Sequence, residues 1–213
     1  MSVTLKKKQE RALEIIKIFS QVYGDADCTL DYEMPLQLLI ATQLAAQCTD
    51  ARVNMVTPAL FKRYKTAKDF AEADEDELSA MIHSTGFYRN KTKNIIACCK
   101  KLISDFGGEV PKTMDELLSL PGVGRKTANL VLGDAFGIPG IVIDTHAGRL
   151  SRRMGFTTNT DPFKVEMDLL KIIPGEHQSL FCHQLVFHGR EYCSSRKPRC
   201  EECPIKNLCP KKI

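Results

Sequence analysis

Lys126 is the first residue whose type and position could do covalent chemistry. It ends the glycine-rich stretch Leu120-Pro-Gly-Val-Gly-Arg-Lys126, which separates two segments with helical spacing. At the start of the second segment, the helix dipole and neighbouring Arg125 both disfavour an ammonium group. A lysine kept as the free amine is a nucleophile that can form a Schiff base. The same residues also fit a tight helical hairpin with two solvated cations, and this stretch alone leaves both interpretations open.

The glycines of this stretch could bind an anion. Gly122 and Gly124 can adopt positive φ and let another backbone approach closely. The free N–H groups of such a turn, at a helix N-terminus, suit a DNA phosphate. Thr113-Met-Asp-Glu116 is typical of a capping box before a short helix, and the apolar spacing predicts a second helix over 125–136. We therefore predict a helix-hairpin-helix motif over about 113–136.

Four cysteines near the C-terminus could hold a metal. Cys193, Cys200, Cys203 and Cys209 have the spacing C-x6-C-x2-C-x5-C. Zinc sites usually combine two close-set pairs of ligands, and only one such pair is present here. Four thiolates on one compact loop are what a [4Fe–4S] cluster requires. The spacing favours the iron–sulfur cluster, and a zinc site or unliganded thiols remain the alternatives.

The loop between the first two of these cysteines carries three cations, Arg196, Lys197 and Arg199. It is either a solvated loop or a phosphate contact that the cluster positions. The basic excess lies at the chain ends, since residues 139–213 carry 12 basic and 8 acidic side chains. A net charge of +4 is compatible with an anionic partner but does not identify one.

Asp144 follows the β-branched run 138–143, for which no partner strand is evident, so we predict an extended buried loop. The carboxylate could simply cap the basic helix that follows.

Gln43 and Gln47 are spaced i,i+4 in a helix predicted from Pro35 to about Gln47, and would share one face. Phe87, beside Gly86, is either a core aromatic at a turn or a wedge that enters a base stack.

Composition limits the class of protein. A chain of 213 residues can bury a core without disulfides, and its nine cysteines without a secretory signal argue against a disulfide framework. All long segments have helical periodicity, so we predict an all-α fold. The polar and basic N-terminus and the lack of a long apolar run predict a cytoplasmic protein that does not enter membranes.

Three signatures occur together and in order: 120–126, Val142-Ile-Asp144-Thr-His146, and the four-cysteine spacing. With the stretch 38–50, they closely resemble the endonuclease III family, the bifunctional DNA glycosylase/AP lyases of the helix-hairpin-helix superfamily. The resemblance covers nearly the whole chain. It implies two lobes: a six-helix barrel over 28–138, and a smaller [4Fe–4S] cluster lobe formed by 1–27 with 139–213. DNA would lie across the cleft between them.

The resemblance also implies a reaction. Lys126 would attack C1′, displace an oxidised pyrimidine from duplex DNA as a Schiff base, and cut the abasic strand by β-elimination, while ionised Asp144 stabilises oxocarbenium character. The expected partner is double-stranded DNA with oxidised-base or abasic lesions, bound by a monomer at the bacterial nucleoid. Gln47 would fill the gap left by the flipped nucleotide and Phe87 would be the wedge. The expected DNA contacts are Gln47, Phe87, Gly122, Gly124, Arg125, Arg196, Lys197 and Arg199.

Two residues depart from the family pattern. Gln43 occupies a position that is usually apolar, and Phe87 is aromatic where an aliphatic wedge is also common. Both leave the lesion and opposite-base preference open. The alternatives are a monofunctional adenine or mismatch-thymine glycosylase, which lacks a lysine at the position of Lys126, a non-catalytic helix-hairpin-helix DNA-binding module, and a zinc-stabilised binding protein.

Overall fold

The structure, a computed structural model, describes residues 3–212. Helices are the regular elements of these residues and no strand occurs among them, which confirms the all-α prediction. Short 3₁₀ turns lie at His83–Thr85 and Gly175–His177. The α-helices are α1 Val3–Val22, α2 Pro35–Leu44, α3 Asp50–Arg63, α4 Ala67–Ala71, α5 Glu75–Ile82, α6 Tyr88–Phe106, α7 Met114–Leu118, α8 Arg125–Leu130, α9 Thr145–Arg153, α10 Pro162–Leu170 and α11 Gln178–Glu191.

The chain divides into two compact units. One spans Cys28–Ile138 and contains α2 to α8. The other combines the described residues up to Asp27 with those from Pro139 onward. Each unit has its own hydrophobic core. Each can therefore position its functional side chains on a packed scaffold of its own.

Helix α2 is at the centre of the core of unit 28–138. Leu38, Leu39 and Ile40 are consecutive and all fully buried, so the helix is covered on several sides, as expected for a core helix. Helices α4 and α5 pack against α6. The helix starts follow the local capping signals: Thr49 caps α3, and Thr66 and Asp69 form a capping box on α4.

Two predicted helix ends are wrong. Helix α2 ends at Leu44 rather than near Gln47, so Gln43 and Gln47 do not share a helical face. In the hairpin, α-helical bonding ends at Leu130 and a π-helical segment, Val131–Ala135, continues to the turn. Gly137, at φ +64°, and the bond from the Ile138 N–H to the Leu132 carbonyl then close this segment.

The other unit is organised around α11. Helix α9 packs along α11, and α1 also contacts it. The run before Asp144 is extended, as predicted, with Ile141 fully buried and the Val142 N–H 3.2 Å from the Cys182 sulfur. This loop leads directly into the start of α9 and so fixes the position of Asp144.

None of the described helices combines the length and hydropathy needed to cross a membrane.

Candidate functional site

The hairpin turn is built tightly around Gly122. Its φ is +75°, and a Cβ on Gly122 would lie 2.7 Å from the Oε1 of Gln43 and 2.9 Å from the Cβ of Asn94. Only glycine therefore fits both the conformation and the space. Val123 is buried and anchors the turn, and Gly124 begins α8 without a side-chain cap. A helix N-terminus without a side-chain cap is the kind of place where an anion can bind.

Lys126 lies exposed in the first turn of α8, and Arg125 beside it is half-buried. The turn fixes the backbone from which the Lys126 amine projects. The structure thus has an accessible amine held on a rigid turn in unit 28–138. Chemically, this is the arrangement of a positioned nucleophile.

Asp144 lies in the other unit and caps α9. Its Oδ1 accepts a hydrogen bond from the Ala147 N–H at 2.7 Å. The capping interpretation is therefore confirmed, and it is compatible with a chemical role because the cap holds the half-buried carboxylate in one orientation. Nearby, burial lowers the pKa of His146, and the charge of Asp144 opposes this effect. His146 Nδ1 lies 3.1 Å from an Arg149 guanidinium nitrogen.

Gln47 and Phe87 share an unusual backbone. Both are non-glycine residues in the left-handed region, at φ 55° and 49°, and only Lys211 joins them among the described residues. Both side chains are exposed, and Phe87 keeps 62% of its surface accessible. An exposed aromatic side chain on strained backbone costs free energy of folding, and packing gives no reason for that cost. It suits a side chain that must project toward a partner.

Lys91 connects the two segments that carry these residues. Its ammonium is buried, at 6% exposure, and donates to the Leu44 carbonyl at 2.7 Å and the Thr85 carbonyl at 2.8 Å. Leu44 ends α2 just before Gln47, and Thr85 precedes Phe87. Burial lowers the pKa of Lys91. Sequence reasoning missed this residue, although a lysine four residues before Ile95, on the apolar stripe of α6, was the available signal.

The four C-terminal cysteines meet around one cavity. None forms a disulfide. Among residues 3–212, no three His, Cys, Asp or Glu side chains are placed to hold a single metal ion. Four thiols that line one cavity supply the four thiolate ligands that a [4Fe–4S] cluster takes. The residues present therefore fit a [4Fe–4S] cluster.

Burial and positive charge act in opposite directions on the thiols of this cavity. Burial raises the pKa of Cys203 to about 11, and the three other cluster cysteines add to this effect. Arg153 donates to the Cys193 sulfur at 3.3 Å and to the Ser194 carbonyl at 2.7 Å. Arg149 donates to the Cys193 carbonyl at 3.0 Å. These cations of α9 can offset thiolate charge, and they tie the helix that begins at Asp144 to the cysteine loop.

The cationic loop divides into two kinds of residue. Arg196 and Lys197 are exposed. Arg199 instead stacks on Tyr192, donates twice to the Glu191 carbonyl, and pairs with Glu202 at 3.2 Å. All three remain predicted DNA contacts, but the guanidinium of Arg199 already has a structural role in the loop.

Comparison with known proteins agrees with this geometry. The family model described as HhH-GPD superfamily base excision DNA repair protein matches residues 40–175, and that of the iron-sulfur binding domain of endonuclease III matches residues 193–209. Endonuclease III of Synechocystis sp. is 53% identical over 99% of this chain and 98% of its own length. The chain belongs to the endonuclease III family.

Solved structures of endonuclease III with DNA share its fold. A trapped endonuclease III–DNA covalent intermediate has a TM-score of 0.89 at 44% identity, covering 95% of this chain and 96% of that one. A non-covalent endonuclease III–DNA complex gives the same TM-score and identity, covering 95% of each chain. As a family member, the protein is a base-excision-repair DNA glycosylase/AP lyase with an iron–sulfur cluster and binds DNA.

Proposed function

We propose that this enzyme removes oxidised pyrimidines from duplex DNA through a Schiff base on Lys126 and then cuts the abasic strand. The observation that carries the proposal is the exposed Lys126 amine immediately after the glycine turn. The relative trapped as a covalent intermediate with DNA supports a covalent route. Lys126 supplies the only nucleophile that the proposal needs.

Each residue has a defined step. The Lys126 amine attacks C1′, the bond from C1′ to the base breaks, and the base leaves with its bonding electrons and a proton. The carboxylate of Asp144 stabilises positive charge at C1′ as that bond breaks. The C1′–O4′ bond then opens, O4′ takes up a proton from solvent, and the protonated Schiff base that results acidifies the C2′ proton. Its removal expels the 3′ phosphate by β-elimination, which cuts the strand.

The remaining residues hold the DNA. The amides of Gly122 and Gly124 bind a phosphate near the lesion, with Arg125 beside them. Gln47 fills the gap left by the extruded nucleotide and Phe87 wedges between bases. Arg196, Lys197 and Arg199 contact phosphates. The protein acts as a monomer on oxidised or abasic sites, and we place this activity at the bacterial nucleoid, in line with its bacterial relatives.

The cluster has a structural part in this scheme. The four cysteines Cys193, Cys200, Cys203 and Cys209 hold it, and when bound it crosslinks the loop on which Arg196 and Lys197 lie. Arg153 anchors the same loop through its bonds to Ser194 and Ser195.

Borohydride trapping tests the proposal. Incubation with abasic-site duplex and borohydride reduces a Schiff base to a stable amine, so we expect a covalent adduct from the wild type and none from Lys126→Gln. Asp144→Asn should form the adduct from abasic DNA but release damaged bases at least about tenfold more slowly, since one lost transition-state contact is worth about 1.4 kcal/mol or more.

The alternatives give other patterns. A monofunctional glycosylase releases the base without any adduct, and a non-catalytic binding module gives neither product. An adduct that persists unchanged in Lys126→Gln would reject Lys126 as the nucleophile.

A further inference from the structure

A cavity of about 230 Å³ lies beside the hairpin in unit 28–138. Its rim includes the two residues on left-handed backbone, Gln47 and Phe87, and its wall includes Gly122 of the turn. Four amide side chains line it: those of Gln43, Gln47, Asn90 and Asn94. The cavity therefore presents several amide groups next to the residues that face DNA in the proposed function.

Gln43 is the unusual member of this lining. It is 5% exposed, and neither its Oε1 nor its Nε2 has a hydrogen-bond partner in the protein. The Cys98 thiol is near enough for the amide to affect its pKa, which burial raises to about 11, but the two groups do not meet at hydrogen-bonding geometry. A buried donor and acceptor that both lack partners are costly to a folded protein.

The surrounding structure keeps the Gln43 amide in this place. Gly122 leaves the space that Oε1 occupies, since a Cβ there would lie only 2.7 Å away. The rim segments are fixed by Lys91, which binds the carbonyls of Leu44 and Thr85. The amide is thus recessed at the side of a cavity whose rim is held rigidly.

We propose that this cavity is a subsite for the purine left unpaired opposite the lesion, and that Gln43 is the residue that reads it. An extruded nucleotide leaves one base whose pairing edge has lost its partner. Oxidised pyrimidines originally pair with adenine or guanine, so that base is a purine. The inference rests on the proposed function and specifies its opposite-base preference.

The chemistry of an amide matches this ligand. A glutamine amide offers an adjacent donor and acceptor, and rotation of its terminal group reverses their order. It can therefore pair with adenine, which presents a donor beside an acceptor, or with guanine, which presents the reverse. A pyrimidine is shorter by one ring, so we expect it not to reach an amide that is 5% exposed. The subsite accordingly distinguishes purines from pyrimidines.

Equilibrium binding to four duplexes tests this inference. Each contains tetrahydrofuran, an abasic analogue that cannot form a Schiff base, opposite A, G, C or T, at one fixed salt concentration. For the wild type we expect tighter binding opposite A and G by at least about fivefold, the lower end of one bidentate contact. Gln43→Met, which keeps length and volume, should reduce the difference to less than about twofold.

A matched control is Thr42→Val, on the same helix and buried, with its hydroxyl bonded to the Leu39 carbonyl rather than facing the cavity. It should keep the purine preference. The proposal is overturned if the wild type shows no preference, if Gln43→Met retains it, or if Gln43→Met weakens all four complexes equally. Because the analogue is inert to amines, failure here is distinct from failure of the Lys126 chemistry, which appears as a missing borohydride adduct.

Discussion

At the scale of single residues, Gln43 shows how a binding-site side chain can lower the stability of the free protein. Its amide is buried and unpartnered among protein groups, whereas the other buried polar side chain of the helix, Thr42, bonds to the Leu39 carbonyl. Residues selected only for packing do not usually leave both amide atoms unsatisfied. A ligand that completes these bonds explains why an amide, rather than an apolar side chain, lies there.

Gln43→Met should therefore stabilise the free protein. Removing an unsatisfied buried amide and retaining its volume should gain about 1–3 kcal/mol, which raises Tm by roughly 2–4 °C per kcal/mol for a chain of this size. Thermal unfolding followed by circular dichroism measures the change. A lower Tm would mean that the amide is well solvated or bonded in the free protein, contrary to our account.

Residue types that carry chemistry were predictable because their signals are local. Lys126 follows its glycine turn directly, and the four cysteines lie close together in sequence. Lys91 was not predicted, because its partners are carbonyls at Leu44 and Thr85 that only the folded chain brings together. The catalytic roles of Lys126 and Asp144 remain predictions.

At the element scale, Lys91 links three parts of the fold. One ammonium on α6 closes the C-terminus of α2 and fixes the segment before Phe87. The favourable position of a cation at a helix C-terminus adds to these bonds. We therefore expect the strained backbones at Gln47 and Phe87 to depend on this one buried side chain.

Lys91→Met should weaken both stability and catalysis. Two buried carbonyls lose their donor, which we expect to cost about 2–4 kcal/mol of the free energy of unfolding. Apart from this loss of stability, the strained loops should relax in the folded protein. We therefore expect borohydride trapping of abasic DNA to slow at least about tenfold. Denaturant unfolding and trapping rates, measured well below the melting temperature, check the two effects.

Lys93→Met is the matched control, since Lys93 is exposed on the same helix. It should behave like the wild type in both assays. If Lys91→Met were as stable and as fast as Lys93→Met, then Lys91 would not hold the loops.

Helix ends were the least predictable elements. Starts at Thr49, Thr66 and Asp74 followed from side-chain caps that act over two or three residues. The end of α2 at Leu44 did not follow from a local signal, because the group that binds its last carbonyl is the Lys91 ammonium on another helix. The π segment Val131–Ala135 likewise lacks a local composition signal that would separate it from α-helix.

At the scale of the whole molecule, each of the two units has its own core and carries part of the proposed chemistry. Lys126 and the hairpin belong to unit 28–138, and Asp144 and the cysteines belong to the other. Periodicity predicted the helical class, but it could not give this division. That prediction came from the resemblance to a known family, because no local pattern indicates that the chain ends fold together.

Salt dependence should separate the loop cations. Each phosphate contact contributes about 0.9 to the slope of log affinity against log salt. We expect Arg196→Ala and Lys197→Ala each to lower the slope by about that amount. Arg199→Ala should change the slope less and lower the melting temperature, because its guanidinium binds the Glu191 carbonyl and Glu202.

Fluorescence anisotropy on one undamaged duplex at several salt concentrations makes this measurement. Lys206→Ala, outside the loop but also exposed, is a charge-matched control. Equal slopes for the wild type and both the Arg196 and Lys197 variants would remove this loop from the DNA interface.

The most direct measurement of the central claim is peptide mapping of the borohydride-trapped adduct. The adduct is digested with protease and nuclease, and mass spectrometry locates the residual nucleotide. We predict that the residual mass lies on the peptide that contains Lys126, at that side chain. A residual mass on another amine, or no adduct from abasic DNA at all, would contradict the assignment of Lys126 as the nucleophile.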